Sequence, residues 1–330
     1  MATLAATAKT LSDWAKEVDP DGKTAVIVEM LSQENQVLDD MLFVEGNLPT
    51  GHRTTIRTGL PTVYWRLLNQ GVAKSKATSA QVDISCGILE ARSEVDTEIA
   101  KLNGNINAFR LNESQAFLES MAQEMASTLF YGNSSVDPEE FNGLAVQYSS
   151  LSANNAQNIV SGSGSGSDNS SIWLIGWGMN TCSGVFPKGS KAGLEHEDLG
   201  VIDAFDSSNN RFRAYSDRYV WKAGLAVKDW RYVVRIPNID ISNLVAKSSA
   251  ADLIELMIKA IHRIPNLNAV KPVFYMNRTC FQMLDIQRRD DVISGGGLKY
   301  DVVDGKPMYT FRGIPVRICD ALTEAEAQVT

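Results

Sequence analysis

Histidines and acidic residues are the side chains most often used for catalysis and metal binding, and in this chain they form one noticeable group. Of the three histidines, His52, His196 and His262, only the second has close acidic neighbours, in the run Glu195-His196-Glu197-Asp198. A metal site needs ligands that converge from elsewhere, and the sequence has no HExxH motif and no paired histidines at ligand spacing. The run is interpreted as a solvated acidic turn, and no metal is predicted.

The four cysteines are also placed without a recognisable motif. They are Cys86, Cys182, Cys280 and Cys319. No two of them form a CxxC pair, so buried free thiols in a reducing compartment are expected. The sequence also has no GxSxG nucleophile elbow and no GxxxxGK(S/T) phosphate loop. We therefore predict no catalytic residue and no cofactor. A serine, an acid and a base brought together only by the fold stay possible.

One low-complexity segment, Ser161–Ser171, contains Gly162, Gly164 and Gly166. A phosphate-binding loop needs a strand before its glycines and a helix after them. The residues that follow, Ile172–Trp177, instead predict a strand. The segment is interpreted as a flexible surface loop.

The composition is that of a folded building block. The chain has 330 residues, of which 44% are hydrophobic and 21% charged, and its net charge is −8. That length allows one elongated domain or two lobes, and the acidic balance argues against a dedicated nucleic-acid binder. The N-terminus has no signal-peptide pattern, and no window approaches the ~18 apolar residues of a membrane span.

The segment from Val44 to Val82 differs from the rest in charge and in character. It holds five basic residues against Glu45 alone, with apolar residues such as Trp65 and Leu68 interleaved. Glycines, prolines and β-branched residues favour an extended hairpin arm. We favour an arm that docks on an acidic partner over an arm that is only a solvated loop. An arm that binds single-stranded nucleic acid is the least favoured interpretation.

Helical periodicity predicts four segments outside the C-terminal region: Thr24–Met41, Val95–Leu102, a long helix capped by Asn112 and ending at Gly132, and Ser249–Ile264. From Ile172 to Ile236 the pattern is mostly β, and its longest run is Gly224–Ile236. Between Leu111 and Pro187 there are seven acidic residues and no lysine or arginine. The basic arm and this acidic stretch could form the two halves of a contact between copies.

The C-terminal region carries the most informative pattern. Its elements are a strand at Val273–Met276, a helix at Asn277–Arg289, a glycine turn at Gly295–Gly297, Tyr300, a second strand at Thr310–Ile318 containing Gly-Ile-Pro-Val, and then Asp320 and Leu322. This order resembles the axial-domain ending of tailed-bacteriophage major capsid proteins with the HK97-like fold. The resemblance implies an α+β fold, with an N-terminal arm at 1–44, an extended loop at 45–96, a peripheral domain with a long spine helix at 97–235 and an axial α/β domain at 236–330.

The same resemblance implies a structural function. The chain would assemble as pentamers and hexamers into an icosahedral shell around double-stranded DNA, which it would contact non-specifically. It would be part of the virion and assemble in the host cytoplasm. Further expected partners are a separate scaffolding protein, since the first amphipathic helix begins almost at once, a portal and a decoration or cement protein. No membrane partner is expected.

In such shells an extended loop of one subunit lies across the spine helix of the next. The expected contact between subunits therefore joins three arm arginines to three helix glutamates: Arg53, Arg57 and Arg66 with Glu113, Glu119 and Glu124. An encapsulin-type bacterial compartment shell, which shares the fold, is the main alternative. A cytoplasmic enzyme with a site assembled from distant residues is less favoured.

Overall fold

The computed structural model describes residues 33–102, 105–205, 209–248, 250–290, 298–303 and 306–330. Its α-helices are α1 (Val37–Asp40), α2 (Thr97–Lys101), α3 (Ile106–Tyr131), α4 (Leu144–Gln147), α5 (Ile241–Ala246), α6 (Leu253–Ile261) and α7 (Arg278–Asp290). Its strands are β1 (Phe43–Glu45), β2 (Gly51–Gly59), β3 (Thr78–Ser85), β4 (Gly87–Asp96), β5 (Asn169–Trp177), β6 (Cys182–Phe186), β7 (Leu194–Phe205), β8 (Arg211–Val227), β9 (Val233–Asp240), β10 (Lys271–Met276), β11 (Leu298–Val303), β12 (Lys306–Phe311) and β13 (Ile314–Ile318).

Eleven of these strands form one continuous sheet. Its main path runs β11-β12-β13-β10-β5-β6-β8-β4, and β1, β7 and β9 pair with β6, β8 and β5 respectively. β2 and β3 form a separate two-stranded sheet. The hairpin built by β2 and β3 is thus the one part of the described strands that lies outside the main sheet.

β5 lies at the centre of the molecule, and all of its residues are buried. Successive side chains of a strand point to opposite faces, so β5 contributes alternately to two cores. Ile172 and Leu174 pack in a cluster with α5, α6 and α7. Trp173 and Ile175 pack with the C-terminal half of α3. The predicted strand Ile172–Trp177 is confirmed, and it lacks a polar face because both of its faces are covered.

The predicted N-terminal helix Thr24–Met41 lies mostly outside the described residues. Within them only α1 is helical, so the prediction is wrong for residues 33–36. The reason is a tertiary contact. Glu34 N donates to Asp320 Oδ2 at 3.0 Å, Asp320 N donates to Glu34 O at 3.1 Å, and Asn35 forms a β-bridge with Cys319. These backbone groups pair with the C-terminal segment instead of forming a helix.

The long helix is longer than the sequence indicated. α3 begins at Ile106, and its N-cap is Asn105, whose Oδ1 accepts a hydrogen bond from Ala108 N at 3.1 Å. The prediction of Asn112 as the cap is therefore wrong. The added turns form because Phe109 is buried in a small cluster with Val95 and Ala100. Apolar residues at helical spacing, which predicted this helix, form a stripe along it. The C-terminal members of the stripe, Met121, Met125 and Leu129, are buried, whereas Phe117, Leu118 and Ala122 are half-buried.

Two predicted strands are broken by turns. The run Gly224–Ile236 is split into β8 and β9, because Lys228 N and Asp229 N both donate to Thr181 O and a short 3-10 helix, Trp230–Tyr232, reverses the chain. The run Thr310–Ile318 is split into β12 and β13. Arg312 and Gly313 both have positive φ, 52° and 83°, as the two-residue hairpin turn requires.

Two further predictions change in detail. α6 is capped by Asp252 and ends at Ile261, three residues before the predicted end, and the predicted cap Ser249 lies outside the described residues. The segment Ser161–Ser171 is anchored along β9, since Gly162 N and Gly164 N donate to the carbonyls of Pro237 and Asn238 at 2.8 Å. A Cβ on either glycine would lie 2.7 Å from Asn238 O, which explains the alternate glycines.

Candidate interaction surface

The hairpin β2–β3 is the candidate functional element, because it extends from the body with little packing of its own. Gly51 at its base approaches the opposite strand so closely that a Cβ would lie 2.0 Å from Ile84 O. Asn47 holds the entry to β2, with its Nδ2 donating to Arg53 O and its Oδ1 accepting from Arg53 N, both at 2.7 Å. An isolated two-stranded hairpin is marginally stable in water, so contacts beyond the chain would stabilise it.

Arg53, the first predicted contact residue, already has a partner inside the hairpin. It lies directly opposite Asp83, and its Nε and Nη2 donate to the two carboxylate oxygens at 2.5 and 2.7 Å. This hydrogen bond lowers the pKa of Asp83 and raises that of Arg53. Arg57 and Arg66, the other two, are exposed. The hairpin therefore presents Arg57 and Arg66 as its more available charges.

Residues 60–77 form the tip of the hairpin, and we call this segment the tip. It has no regular secondary structure and all of its residues are exposed. Val63 is 87%, Trp65 105% and Leu68 91% exposed. Its charged residues are Arg66, Lys74 and Lys76, with no acid among them. Apolar side chains gathered on an exposed segment mark an interaction surface.

The three predicted helix glutamates lie on α3 in different surroundings. Glu113 and Glu119 are half-buried and Glu124 is exposed. The carboxylate of Glu119 accepts hydrogen bonds from Gln33 N and from Gln123 Nε2, each at 2.8 Å. These contacts leave Glu124 as the most accessible of the three.

The acidic run around His196 belongs to β7, so the prediction of a turn is wrong. Its residues alternate between the two faces of the strand. On one face Arg110 Nη2 donates to Asp198 Oδ1 and Asp217 Oδ1 at 2.8 Å, and His196 Nε2 lies 3.0 Å from the same Asp217 oxygen. The Arg110 hydrogen bond lowers the pKa of Asp198. A guanidinium thus occupies the centre of this cluster, and no group of residues in the described ranges could hold a metal ion.

The other face of the same ribbon carries an exposed ion network. Arg218 donates from Nε and Nη2 to the carboxylate of Glu90 at 3.0 and 2.8 Å, and from Nη1 to Glu197 at 3.4 Å. The hydrogen bonds from Arg218 and then Arg92 lower the pKa of Glu90 to about 2. The network ties β4, β7 and β8 together across three neighbouring strands.

A buried ion pair between Arg235 and Glu326 was not predicted from the sequence. Their side chains are each 5% exposed, and Arg235 Nη2 donates to Glu326 Oε2 at 2.8 Å. Tyr131 OH donates to Glu326 Oε1 at 2.6 Å, and the hydroxyl of Ser171 also hydrogen-bonds the carboxylate. Burial, with the charge of Glu326, raises the pKa of Tyr131. No local motif marks this pair, because its members are 91 residues apart.

The cysteines fit the expected pattern of free thiols. Cys182, Cys280 and Cys319 are buried, and Cys86 is half-buried. Burial raises the pKa of Cys86 to about 11 and those of Cys280 and Cys319 to about 12. Thiols with raised pKa values are poor nucleophiles at neutral pH. Among the helices of the described residues, none is long and apolar enough to cross a membrane.

Comparison with known proteins assigns the chain. The family model of major capsid protein GP7 matches residues 19–330. The chain belongs to the major capsid protein GP7 family. A solved structure of bacteriophage Epsilon15 is similar to this capsid protein over 100% of both chains, with a TM-score of 0.79 and 32% sequence identity. Two distant likenesses add nothing to the assignment. The bacteriophage JBD30 capsid has a TM-score of 0.49 and 8% sequence identity, and the match covers 89% of this chain and 92% of that chain. The SrpI encapsulin of Synechococcus elongatus has a TM-score of 0.46 and 10% sequence identity, and the match covers 71% of this chain and 96% of that chain.

A search of curated protein sequences gives no match. The family match and the Epsilon15 likeness confirm the predicted HK97-like fold and the predicted function. This capsid protein is a structural subunit that associates with copies of itself in an icosahedral phage shell, and it belongs to the virion. The family match also selects the phage capsid over the encapsulin alternative.

Proposed function

We propose that this capsid protein assembles as rings of five and six copies, and that the hairpin of each copy lies over α3 of the next. The main support for the proposal is the composition of the tip, in which exposed apolar residues lie beside basic residues and no acidic residue is present. Exposing apolar side chains to water is unfavourable, so covering them with a complementary surface lowers the free energy. A hairpin that reaches to the next copy gives a head-to-tail contact, which closes into a ring when the rotation between copies allows it.

The proposed contact joins Arg53, Arg57 and Arg66 of one copy to Glu113, Glu119 and Glu124 of its neighbour. Arg57 and Arg66 are exposed and Glu124 is the most accessible acid, so these three residues would contribute most. Arg53 would contribute less to the contact, because its guanidinium is already hydrogen-bonded to Asp83.

The proposed domains are an arm at 1–44, an extended loop at 45–96, a peripheral domain at 97–235 and an axial domain at 236–330. β9 crosses the last border, so the two larger domains would share one sheet. The shell would enclose double-stranded DNA and contact it non-specifically; the contact would be weak, because a net charge of −8 repels the phosphates. Proposed partners are a separate scaffolding protein, a portal and a decoration or cement protein, with assembly in the host cytoplasm.

We also propose that the subunit catalyses no reaction. His196 lies within hydrogen-bond distance of Asp217, and its neighbours Asp198 and Glu197 accept hydrogen bonds from Arg110 and Arg218 respectively. The thiols of Cys280 and Cys319 are buried, and their pKa values of about 12 keep them protonated at neutral pH.

Charge reversal on the hairpin tests the proposed contact. Arg57→Glu with Arg66→Glu should block assembly, or make it depend on salt, while leaving the unfolding midpoint of the free subunit nearly unchanged. Arg53 is left in place, because a glutamate there would face Asp83 and destabilise the hairpin itself. Exposed ion pairs contribute only about 0–1 kcal/mol each, but a shell repeats every contact many times.

The readout is particle yield by electron microscopy and sedimentation at several salt concentrations. Adding Glu119→Lys and Glu124→Lys to the reversed chain should restore some particles. Lys188→Glu with Lys191→Glu is the matched control, since both lysines are exposed and lie outside the hairpin. Normal assembly of the arm-reversed chain at low salt would show that the proposed ion pairs do not form.

A further inference from the structure

An apolar pocket lies between the start of β4 and the C-terminal half of α3. Its volume is about 180 Å³, and its lining includes Ile88, Leu89, Met125 and Phe141. Ile88 is 61% exposed, although its apolar neighbours in the pocket, Leu89, Met125 and Phe141, are half-buried or buried. An apolar cavity of about 150 Å³ is large enough to hold a benzene molecule. The pocket therefore has room for one aromatic ring.

The rim of this pocket is acidic. Glu124 comes from α3, and Glu139 and Glu140 come from the loop between α3 and α4. Glu124 and Glu139 are exposed, and Glu140 is half-buried. The residues from 111 to 187 include no lysine or arginine, so no basic side chain of that stretch neutralises the rim. The site thus combines an apolar floor with a negative edge, and it suits an apolar or aromatic side chain flanked by basic residues.

The tip of the hairpin has this composition. Trp65 is 105% exposed, and Arg66 follows it directly. Lys74 and Lys76 lie on the returning limb of the same tip, which has no acidic residue. A fully exposed tryptophan beside basic residues is the kind of anchor that dominates interface energetics once it is desolvated in a pocket.

The tip does not occupy the pocket of its own chain, since Trp65 is 105% exposed. The pocket includes Gly87 and Ile88, which follow β3 at the base of the hairpin. β2 has nine residues, so the tip begins roughly 27 Å from that base at about 3.4 Å per residue. The hairpin strands are paired along this length and hold the tip at that distance. This geometry favours the tip of a second copy of the chain as the occupant of the pocket.

We propose that Trp65 of one copy inserts into the pocket formed by Ile88, Leu89, Met125 and Phe141 of a second copy, with Arg66 against Glu124 and with Lys74 and Lys76 near Glu139 and Glu140. The inference rests on the proposed hairpin contact and adds its anchor. Each copy then has both a knob and a pocket, at opposite ends of its hairpin. That arrangement makes the contact directional and lets one copy bind two neighbours.

The first test measures the contribution of the indole. Trp65→Ala should raise the subunit concentration needed for assembly at least ~10-fold, as expected for an interface anchor, while Trp65→Phe should keep most of the assembly. Leu68→Ala is the matched control, because it also removes an exposed apolar side chain from the tip. Its effect should be several-fold smaller. Equal effects of Trp65→Ala and Leu68→Ala would overturn the proposal.

The second test locates the occupant by cross-linking. One chain carries Tyr64→Cys beside an intact Trp65, a second carries Ile88→Cys, and both carry Cys86→Ser to remove the half-buried thiol. The two chains are expressed together, and the particles are treated with a short bismaleimide. Covalent dimers joining the two substituted positions, identified by mass spectrometry, are expected. Leu111→Cys replaces Ile88→Cys in the control, since Leu111 is 63% exposed on α3 but does not line the pocket.

The outcomes separate this inference from the proposed function. Particles that form without the dimer, or with as much dimer in the Leu111→Cys control, would show that the tip binds elsewhere, and the shell function would stand. Failure of the unsubstituted chain to form rings or shells with its scaffold would contradict the proposed function. If the cysteine variants do not assemble, the comparison of Trp65→Ala with Leu68→Ala decides whether Trp65 is the anchor.

Discussion

Breaking the buried pair between Arg235 and Glu326 should destabilise the subunit more than any single change at its surface. Glu326→Gln keeps the size of the side chain and removes its charge, which leaves the guanidinium of Arg235 without a counter-ion at a site that is 5% exposed. Removing one partner of a buried ion pair costs about 3–5 kcal/mol. The change also weakens the acceptor of the hydrogen bond from Tyr131.

The contacts that remain around Arg235 set where in that range the cost falls. Arg235 Nη1 still donates to Tyr148 O at 2.9 Å, and Nε to Ser171 Oγ at 3.1 Å. Its guanidinium carbon lies 5.1 Å from the centre of the Trp173 ring, which adds a cation–π contribution. Because these groups partly solvate the charge, we expect a loss near 3 kcal/mol. With an m-value of about 3 kcal/mol/M, the unfolding midpoint would fall by about 1 M urea.

The assay is urea unfolding of the unassembled subunit, followed by tryptophan fluorescence, because Trp173 reports directly on this site. Glu324→Gln is the matched control: it is the same substitution two residues earlier, at an exposed position whose carboxylate accepts one hydrogen bond from Asn277. Arg235→Met with Glu326→Met removes both charges and should cost less than Glu326→Gln. The prediction is wrong if Glu326→Gln shifts the midpoint no more than Glu324→Gln, or if the double change lowers the midpoint as much as Glu326→Gln does.

Two further outcomes follow from the pKa values. Because the folded pKa of Glu90, about 2, lies below its ordinary value, the stabilisation that its ion network gives is complete above about pH 4.5 and is lost as the pH falls towards 2. Arg218→Gln should move the Glu90 pKa upward in an NMR titration, and an unchanged titration would mean that the network does not form. In alkylation by N-ethylmaleimide at pH 7.5, half-buried Cys86 should react slowly and the three buried cysteines should not react until urea is added. Rapid labelling of Cys182 in the native subunit, seen by mass spectrometry, would contradict its burial.

Periodicity and composition were sufficient to predict most elements of this fold. The apolar run Ile172–Trp177 predicted a strand, and the stripe ending in Met125 and Leu129 predicted a long helix, because burial of a face imposes its spacing on the sequence. The alternation of glycine, proline and β-branched residues predicted the extended arm. Its observed form is the hairpin β2–β3 with an exposed tip.

The boundaries of these elements could not be predicted in the same way. Asn112 is as good a cap as Asn105, and the choice depends on Phe109, which is buried by residues of β4 and α2. The run Gly224–Ile236 reads as one strand, but its break depends on Thr181 O, which accepts two backbone hydrogen bonds from the turn. In both cases the boundary depends on a tertiary contact with another element, which the pattern within one segment does not show.

What the sequence determined by itself is the segregation of charge and apolar surface. The basic tip and the acid-only stretch from residue 111 to 187 are continuous in the chain, so they are visible before folding. Only the tertiary structure placed Arg235 against Glu326, Arg110 against Asp217, and Ile88 beside Met125 and Phe141. Each of these arrangements joins segments that are neighbours in the fold and distant in the chain. Their energies come from burial and short-range contact, which exist only once the chain has folded.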